Sequence, residues 1–144
     1  MFQATINGDT ETMESILEYA HDTEIPNRLY NNEAELNALV KLLYIDAHDA
    51  YDIRREDDAG KGYVDMIFYP KNKLKGDCLI IELKVNDSAE NAIVQIINKS
   101  YMNRFLPRLG EMPEYKGRIL AVGIAYSKVS KKHSCKIEIL RNNI

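Results

Sequence analysis

Two runs decide the fold of this 144-residue chain: Tyr63-Val64-Asp65-Met66-Ile67-Phe68-Tyr69 and Cys78-Leu79-Ile80-Ile81-Glu82-Leu83-Lys84-Val85. The second is almost continuously apolar, the pattern of a strand buried on both faces, and so predicts the centre of a sheet. The first lies between Gly60-Lys61-Gly62 and Pro70 and reads as a neighbouring strand. Both carry charge where charge is costly, because a buried unpaired ion neutralises or finds a partner. Asp65 interrupts the first run, and Glu82 and Lys84 interrupt the second. Alternation along a strand puts Glu82 and Lys84 on one face and Ile81, Leu83 and Val85 on the other. If the two strands are hairpin neighbours, Asp65 reaches the face of Glu82.

Working outward, residues 51–56 read as a strand, joined to the first run by a polar, glycine-bearing hairpin at 57–62. After the second run, Asp87 with Glu90 three residues on predicts a capping box. It would open a helix to about Phe105, with Ile93, Ile96 and Ile97 facing the core. Residues 118–126 are a further apolar strand and 136–140 a shorter last one. Upstream, residues 32–47 predict a helix whose Leu36, Leu39, Val40, Leu42 and Leu43 form a broad apolar face. Glu33 and Glu35 lie in its first turn, where acids suit the helix dipole. Asp9 or Thr10 would cap an earlier helix to about Ala20, with Met13, Ile16, Leu17 and Ala20 at helical spacing. Residues 21–31, with Pro26, read as a loop. A strand, a crossover helix and another strand predict parallel pairing of the central run with residues 118–126. The fold class is α/β, a mixed central sheet flanked by helices. The division along the chain is an N-terminal helix and connecting loop (1–31) followed by the sheet-bearing domain (32–144).

The totals narrow the function. Nineteen Lys and Arg against twenty-two Asp and Glu give a net charge of -3, so any contact with nucleic acid must be local. Cys78 and Cys135 form no CxxC and point to a reducing cytoplasm. No apolar stretch approaches ~18 residues, and the start has no secretory signal pattern, so no membrane partner is expected. His21, His48 and His133 lack ligand spacing, which argues against zinc. Gly60-Lys61-Gly62 lacks the rest of a phosphate-binding loop. Lys128, Lys131, Lys132 and His133 make a basic loop, read as a phosphate contact or as a solvated turn. Tyr101 and Phe105 read as core.

Asp65 and Glu82, with the main-chain carbonyl of Leu83, make an incomplete oxygen shell suited to Mg²⁺ or Mn²⁺. Lys84 beside a metal and a phosphate could orient water or stabilise transition-state charge. Phosphodiester hydrolysis needs a barrier reduction of about 20 kcal/mol, more than one residue supplies. The bland alternative is a charge pair of an edge strand, with Asp65 beside a turn.

At these residues the chain resembles the PD-(D/E)xK nuclease superfamily, and more closely the nuclease-like domain at the C-terminal end of certain bacterial AAA-type ATPase proteins. The resemblance covers about residues 32–140. It rests on Asn32-Glu33-Ala34-Glu35-Leu36, Arg55-Glu56, Gly62-Tyr63-Val64-Asp65, Ile80-Ile81-Glu82-Leu83-Lys84, Gln95-Ile96-Ile97-Asn98-Lys99-Ser100-Tyr101 and Ile119-Leu120-Ala121-Val122-Gly123-Ile124. It implies the restriction-endonuclease-like αβββαβ core, with Asp65 and Glu82 holding Mg²⁺ or Mn²⁺ and Lys84 assisting the water. It adds Gln95 and an acid of the first core helix, Glu33 with Glu35 as competitor, and gives Glu56 no assigned role. Lys99 and Lys61 are its candidates for touching nucleic acid. Val64 stands where the superfamily often has proline.

The implied activity is metal-dependent hydrolysis of nucleic acid, DNA ahead of RNA by family habit. Two readings compete with it: a non-catalytic module serving an ATPase, and a phosphoesterase of small nucleotides. An AAA-type ATPase domain is an implied partner, a homodimer is compatible, and Met1 is either native or the start of an excised piece.

Overall fold

Cys78–Val85 forms β3, and its six leading residues are buried, as a strand covered on both sides demands. The computed structural model describes residues 1–24, 32–57 and 63–144. Among these, β1 (Tyr51–Asp57), β2 (Tyr63–Pro70), β3, β4 (Ile119–Ser127) and β5 (Lys132–Arg141) form a sheet in the order β1-β2-β3-β4-β5. Neighbours are antiparallel except β3 and β4, which run parallel from Cys78 opposite Ile119 to Val85 opposite Tyr126. The crossover helix α4 (Ala89–Asn98) returns the chain between them, so the pairing expected from strand, helix and strand is present.

Helices cover both faces. On one, α1 (Phe2–Ile6), α2 (Thr10–Glu24) and α3 (Glu33–Leu43) bury Met13, Leu17, Leu36, Leu39 and Val40 against Leu79, Ile81 and Leu83. On the other, Ile93, Ile96, Tyr101 and Phe105 pack on Cys78, Ile80, Ile119 and Ala121. The first 24 residues thus share a core with the sheet. α4 lies so close that a Cβ at Gly123 would come within 2.4 Å of the Ala89 carbonyl oxygen. Gly123 is the register partner of Glu82, so this close seat fixes the helix directly over the charged part of β3.

Several boundaries differ from the periodicity reading, each for a local reason. α1 was not expected; it is tied down by the Thr5 and Tyr44 hydroxyls, 2.7 Å apart. Asp9 caps α2 by accepting the Thr12 N–H at 3.1 Å, and the helix runs on to Glu24. Asn32 caps α3, which stops at Leu43 before a 3₁₀ turn at Ile45–Asp49, and Leu42 is exposed rather than part of the apolar face. The cap of α4 is Ser88, which accepts the Asn91 N–H at 3.0 Å, whereas Asp87 takes the Ser88 N–H and the Asn91 amide. α4 ends at Asn98 because Ser100 turns left-handed (φ 56°), and Tyr101–Phe105 continues as a 3₁₀ turn. Ile97 faces out. β5 is longer than expected, since Glu18 and Glu14 of α2 accept the His133 and Cys135 N–H groups and hold its early residues. His21 and His133, remote in sequence, meet edge to face with ring centroids 5.4 Å apart. No helix among the described residues is long and apolar enough to cross a membrane.

Gly123→Ala is expected to destabilise the fold by about 1–3 kcal/mol, the usual cost of overpacking a core, measured as a lower urea midpoint in circular dichroism. An unchanged midpoint would mean that α4 is not seated as described.

Candidate active site

β2 and β3 pair at Met66–Ile81, Ile67–Ile80 and Phe68–Leu79. At Asp65 the ladder gives way to a side chain: the Leu83 N–H donates to Asp65 Oδ2 at 2.8 Å. The carboxylate thus fills the fork between the strands, where it satisfies a backbone donor that would otherwise be orphaned. Asn37 Nδ2 of α3 donates to its other oxygen at 3.5 Å. Glu33, one turn earlier on α3, accepts the Val85 N–H at 3.4 Å. Glu33, Asn37, Lys41, Arg55 and Asp65 line a hollow of about 380 Å³. Burial raises the Asp65 carboxyl above its ordinary range, and the nearby Glu33 charge adds to this. The Leu83 N–H, Arg55 and Asn37 work the other way.

Glu82 lies beneath α4 and is 5% exposed. Its Oε1 accepts Gln95 Nε2 at 2.8 Å. The carbonyl end of the same amide accepts from Lys84 Nζ, which is 4.0 Å from Glu82 Oε1. This orientation of Gln95 is the one the chemistry requires, its donor end on the carboxylate and its acceptor end on the ammonium. Among the described residues, Glu82 Oε2 is buried and has no hydrogen-bond partner. Burial and the Asp65 charge push the Glu82 carboxyl up to about 8, against the opposing pull of Lys84, Lys99 and the Asp65 main-chain N–H.

The fold therefore brings Asp65, Glu82, Lys84 and Gln95 together, with Glu33 bordering Asp65 and Lys99 within electrostatic reach of Glu82. Lys61 and the Glu56 side chain lie outside the described residues. Sequence reasoning missed Asn37 and the position of Arg55 beside Asp65. Asn37 was within reach, since it stands four residues after Glu33 on the same helix face.

The donor set fits a hard divalent cation in part. It offers a buried carboxylate oxygen without a hydrogen-bond partner among the described residues and a second carboxylate in the fork, the oxygen chemistry such ions take. Among the described residues no three His, Cys, Asp or Glu side chains cluster to hold a metal ion. Water and a phosphate oxygen would have to complete the shell, as is usual for Mg²⁺.

A mixed sheet with two carboxylates at the fork of its central strands and a lysine two residues on defines the restriction-endonuclease-like fold class. A family model described as the PD-(D/E)XK nuclease superfamily matches residues 31–131, and the chain belongs to that superfamily. Neither a curated protein nor a solved structure matched it. Nucleases of the superfamily generally use divalent metals.

The raised carboxyl of Glu82 gives a signed prediction for the protein in chelator. Its folded value of about 8 stands above the ordinary 4.5, so between those limits the folded state keeps a proton that the unfolded state releases. The associated stability is present below about 4.5 and lost as pH rises through about 8. Wild type should therefore lose melting temperature across that window, while Glu82→Gln, which cannot ionise, should show a flatter profile. Parallel profiles would contradict the assignment.

Proposed function

We propose that this chain is a metal-dependent nuclease that hydrolyses phosphodiester bonds of nucleic acid, DNA in preference to RNA. The observation that carries the reading is the Glu82 carboxylate. It is buried, has one oxygen without a hydrogen-bond partner among the described residues, and stands beside a second raised carboxylate and an oriented lysine. A structural salt bridge would satisfy both oxygens, because a buried acceptor left without a donor is a net cost. Strongly perturbed groups of this kind concentrate at functional sites.

In this reading Asp65, Glu82 and the Leu83 carbonyl hold Mg²⁺ or Mn²⁺. The ion when bound polarises the phosphoryl oxygen and lowers the pKa of its water. Asp65 is held in the fork by the Leu83 N–H, so its geometry does not depend on the substrate. Lys84, kept in place by the Gln95 carbonyl, presents an ammonium to the developing phosphate charge and orients the attacking water. Gln95 fixes both Glu82 and Lys84. Glu33, rather than Glu35, is favoured as the helical acid because it borders the hollow of Asp65, and Lys99 adds positive charge one turn beyond Gln95. A second reading, a non-catalytic module of an ATPase-containing protein, is favoured by the net charge of -3.

Calorimetric titration of Mg²⁺ and Mn²⁺, with parallel assays on supercoiled, linear and branched DNA and on RNA, tests the proposal. Glu82→Ala should lose metal binding and cutting together. Lys84→Ala should retain the metal while the rate falls by roughly 10²–10³, the range seen when one transition-state donor is removed. A folded wild type that neither binds metal nor cuts would favour the module.

A further inference from the structure

The face of the sheet that carries Glu82 and Lys84 continues beyond the cover of α4. Directly opposed residues of antiparallel strands share a face. Ile67 stands opposite both Ile80 and Arg54, and Tyr69 stands opposite Asp52, so Arg54, Asp52 and Tyr69 lie on the Glu82 side. There Arg54, Tyr69, Lys71, Lys73 and Tyr115 border a hollow of about 350 Å³, at the small end of the range for ligand sites.

Its lining combines two chemistries. Tyr69 and Tyr115 both pack on the buried Phe105, with centroids 5.1 and 5.2 Å away, and lie 6.5 Å from each other. Over their rings stand cations: the Arg54 guanidinium 5.4 Å from the Tyr69 centroid and the Lys73 ammonium 5.4 Å from that of Tyr115. Lys71 Nζ donates to the His48 carbonyl at 3.2 Å. Arg54 is paired with Asp52 and Lys73 with Glu114. Three cations against these two carboxylates leave one net positive charge on a chain of net charge -3.

We propose that this hollow is a nucleotide subsite for single-stranded nucleic acid. An unpaired base lies against the Tyr69 and Tyr115 aromatic wall, and Arg54, Lys71 and Lys73 meet the flanking phosphates. The proposal rests on the nuclease reading and names its substrate as single-stranded. Phosphate alone gains nothing from an aromatic wall, whereas stacking on aromatics beside cations is how unpaired strands are held. A base inside a duplex is stacked and paired and cannot present its face to such a wall. The carboxylates do not forbid the binding, because both ion pairs are solvent-exposed and exposed pairs are weak. A phosphate can replace either acid.

The position suits the chemistry. Tyr69 is four residues from Asp65 along β2, ~13 Å at the usual strand rise. That is within about four nucleotides at the ~3.4 Å stacked spacing, fewer for an extended strand.

The test is fluorescence anisotropy of the full chain in chelator, with a short labelled oligothymidylate and a duplex of equal length. Wild type should bind the single strand more tightly than the duplex. The triple variant Arg54→Ala/Lys71→Ala/Lys73→Ala should weaken single-strand binding at least about tenfold and lower the salt slope by roughly 0.7 for each phosphate that is no longer neutralised. Asp52→Asn/Glu114→Gln, which removes the competing acids, should tighten binding severalfold, an effect that damage to the fold cannot imitate. Tyr69→Leu, which keeps the apolar bulk, should weaken binding without changing the salt slope. Equal affinity for duplex and single strand, or indifference to both the triple and the acid-removing variants, would overturn the subsite. Glu82→Gln separates this from the nuclease reading, since it should abolish cutting in Mg²⁺ while leaving oligothymidylate binding in chelator unchanged.

Discussion

The hydrogen bond from the Leu83 N–H to the Asp65 carboxylate is the constraint on which the site depends. Two antiparallel strands that separate leave backbone donors unpaired, and buried donors must be answered. Here a side chain answers, and the acid that does so is thereby aimed at the segment that carries Glu82 and Lys84. The neighbouring Val85 N–H is met in the same way by Glu33. Asp65 and Glu33 are therefore both held by the main chain of β3, a central strand whose six leading residues are buried.

That arrangement sets stability against charge. Glu82 lies where desolvation opposes its ionisation, and Asp65 adds like charge. The sheet tolerates this because α4 is held close above it at Gly123, so Gln95 reaches down to Glu82 from a fixed height. The apolar layers on either side, Leu79, Ile81 and Leu83 toward α3, Cys78 and Ile80 toward α4, offset the cost of a polar residue in the middle strand.

The sequence made the central features legible because charges inside apolar runs are rare enough to carry information. Asp65, Glu82 and Lys84 stood out on that ground, and the strand order followed from periodicity with its one parallel pair. Gln95 did not stand out physically; an amide on a helix looks the same whether it faces solvent or bridges two ions, and only the family resemblance singled it out. Local chemistry hid other details. The cap of α4 falls to Ser88 because Asp87 is engaged with Asn91, and the left-handed turn at Ser100 has no glycine to announce it. The early half of β5 is polar and exists through carboxylates donated by α2, a long-range partner that periodicity does not register. The meeting of His21 and His133 is likewise a product of packing α2 on β5.

Gln95 has one further consequence. Its single planar amide spans a carboxylate and an ammonium, and the two ends of a rigid group cannot be set independently. Anything that draws the carboxylate away from the amide nitrogen also slackens the grip of the amide oxygen on the lysine. Glu82 and Lys84, opposite in charge, thus share one mechanical degree of freedom through the Gln95 amide.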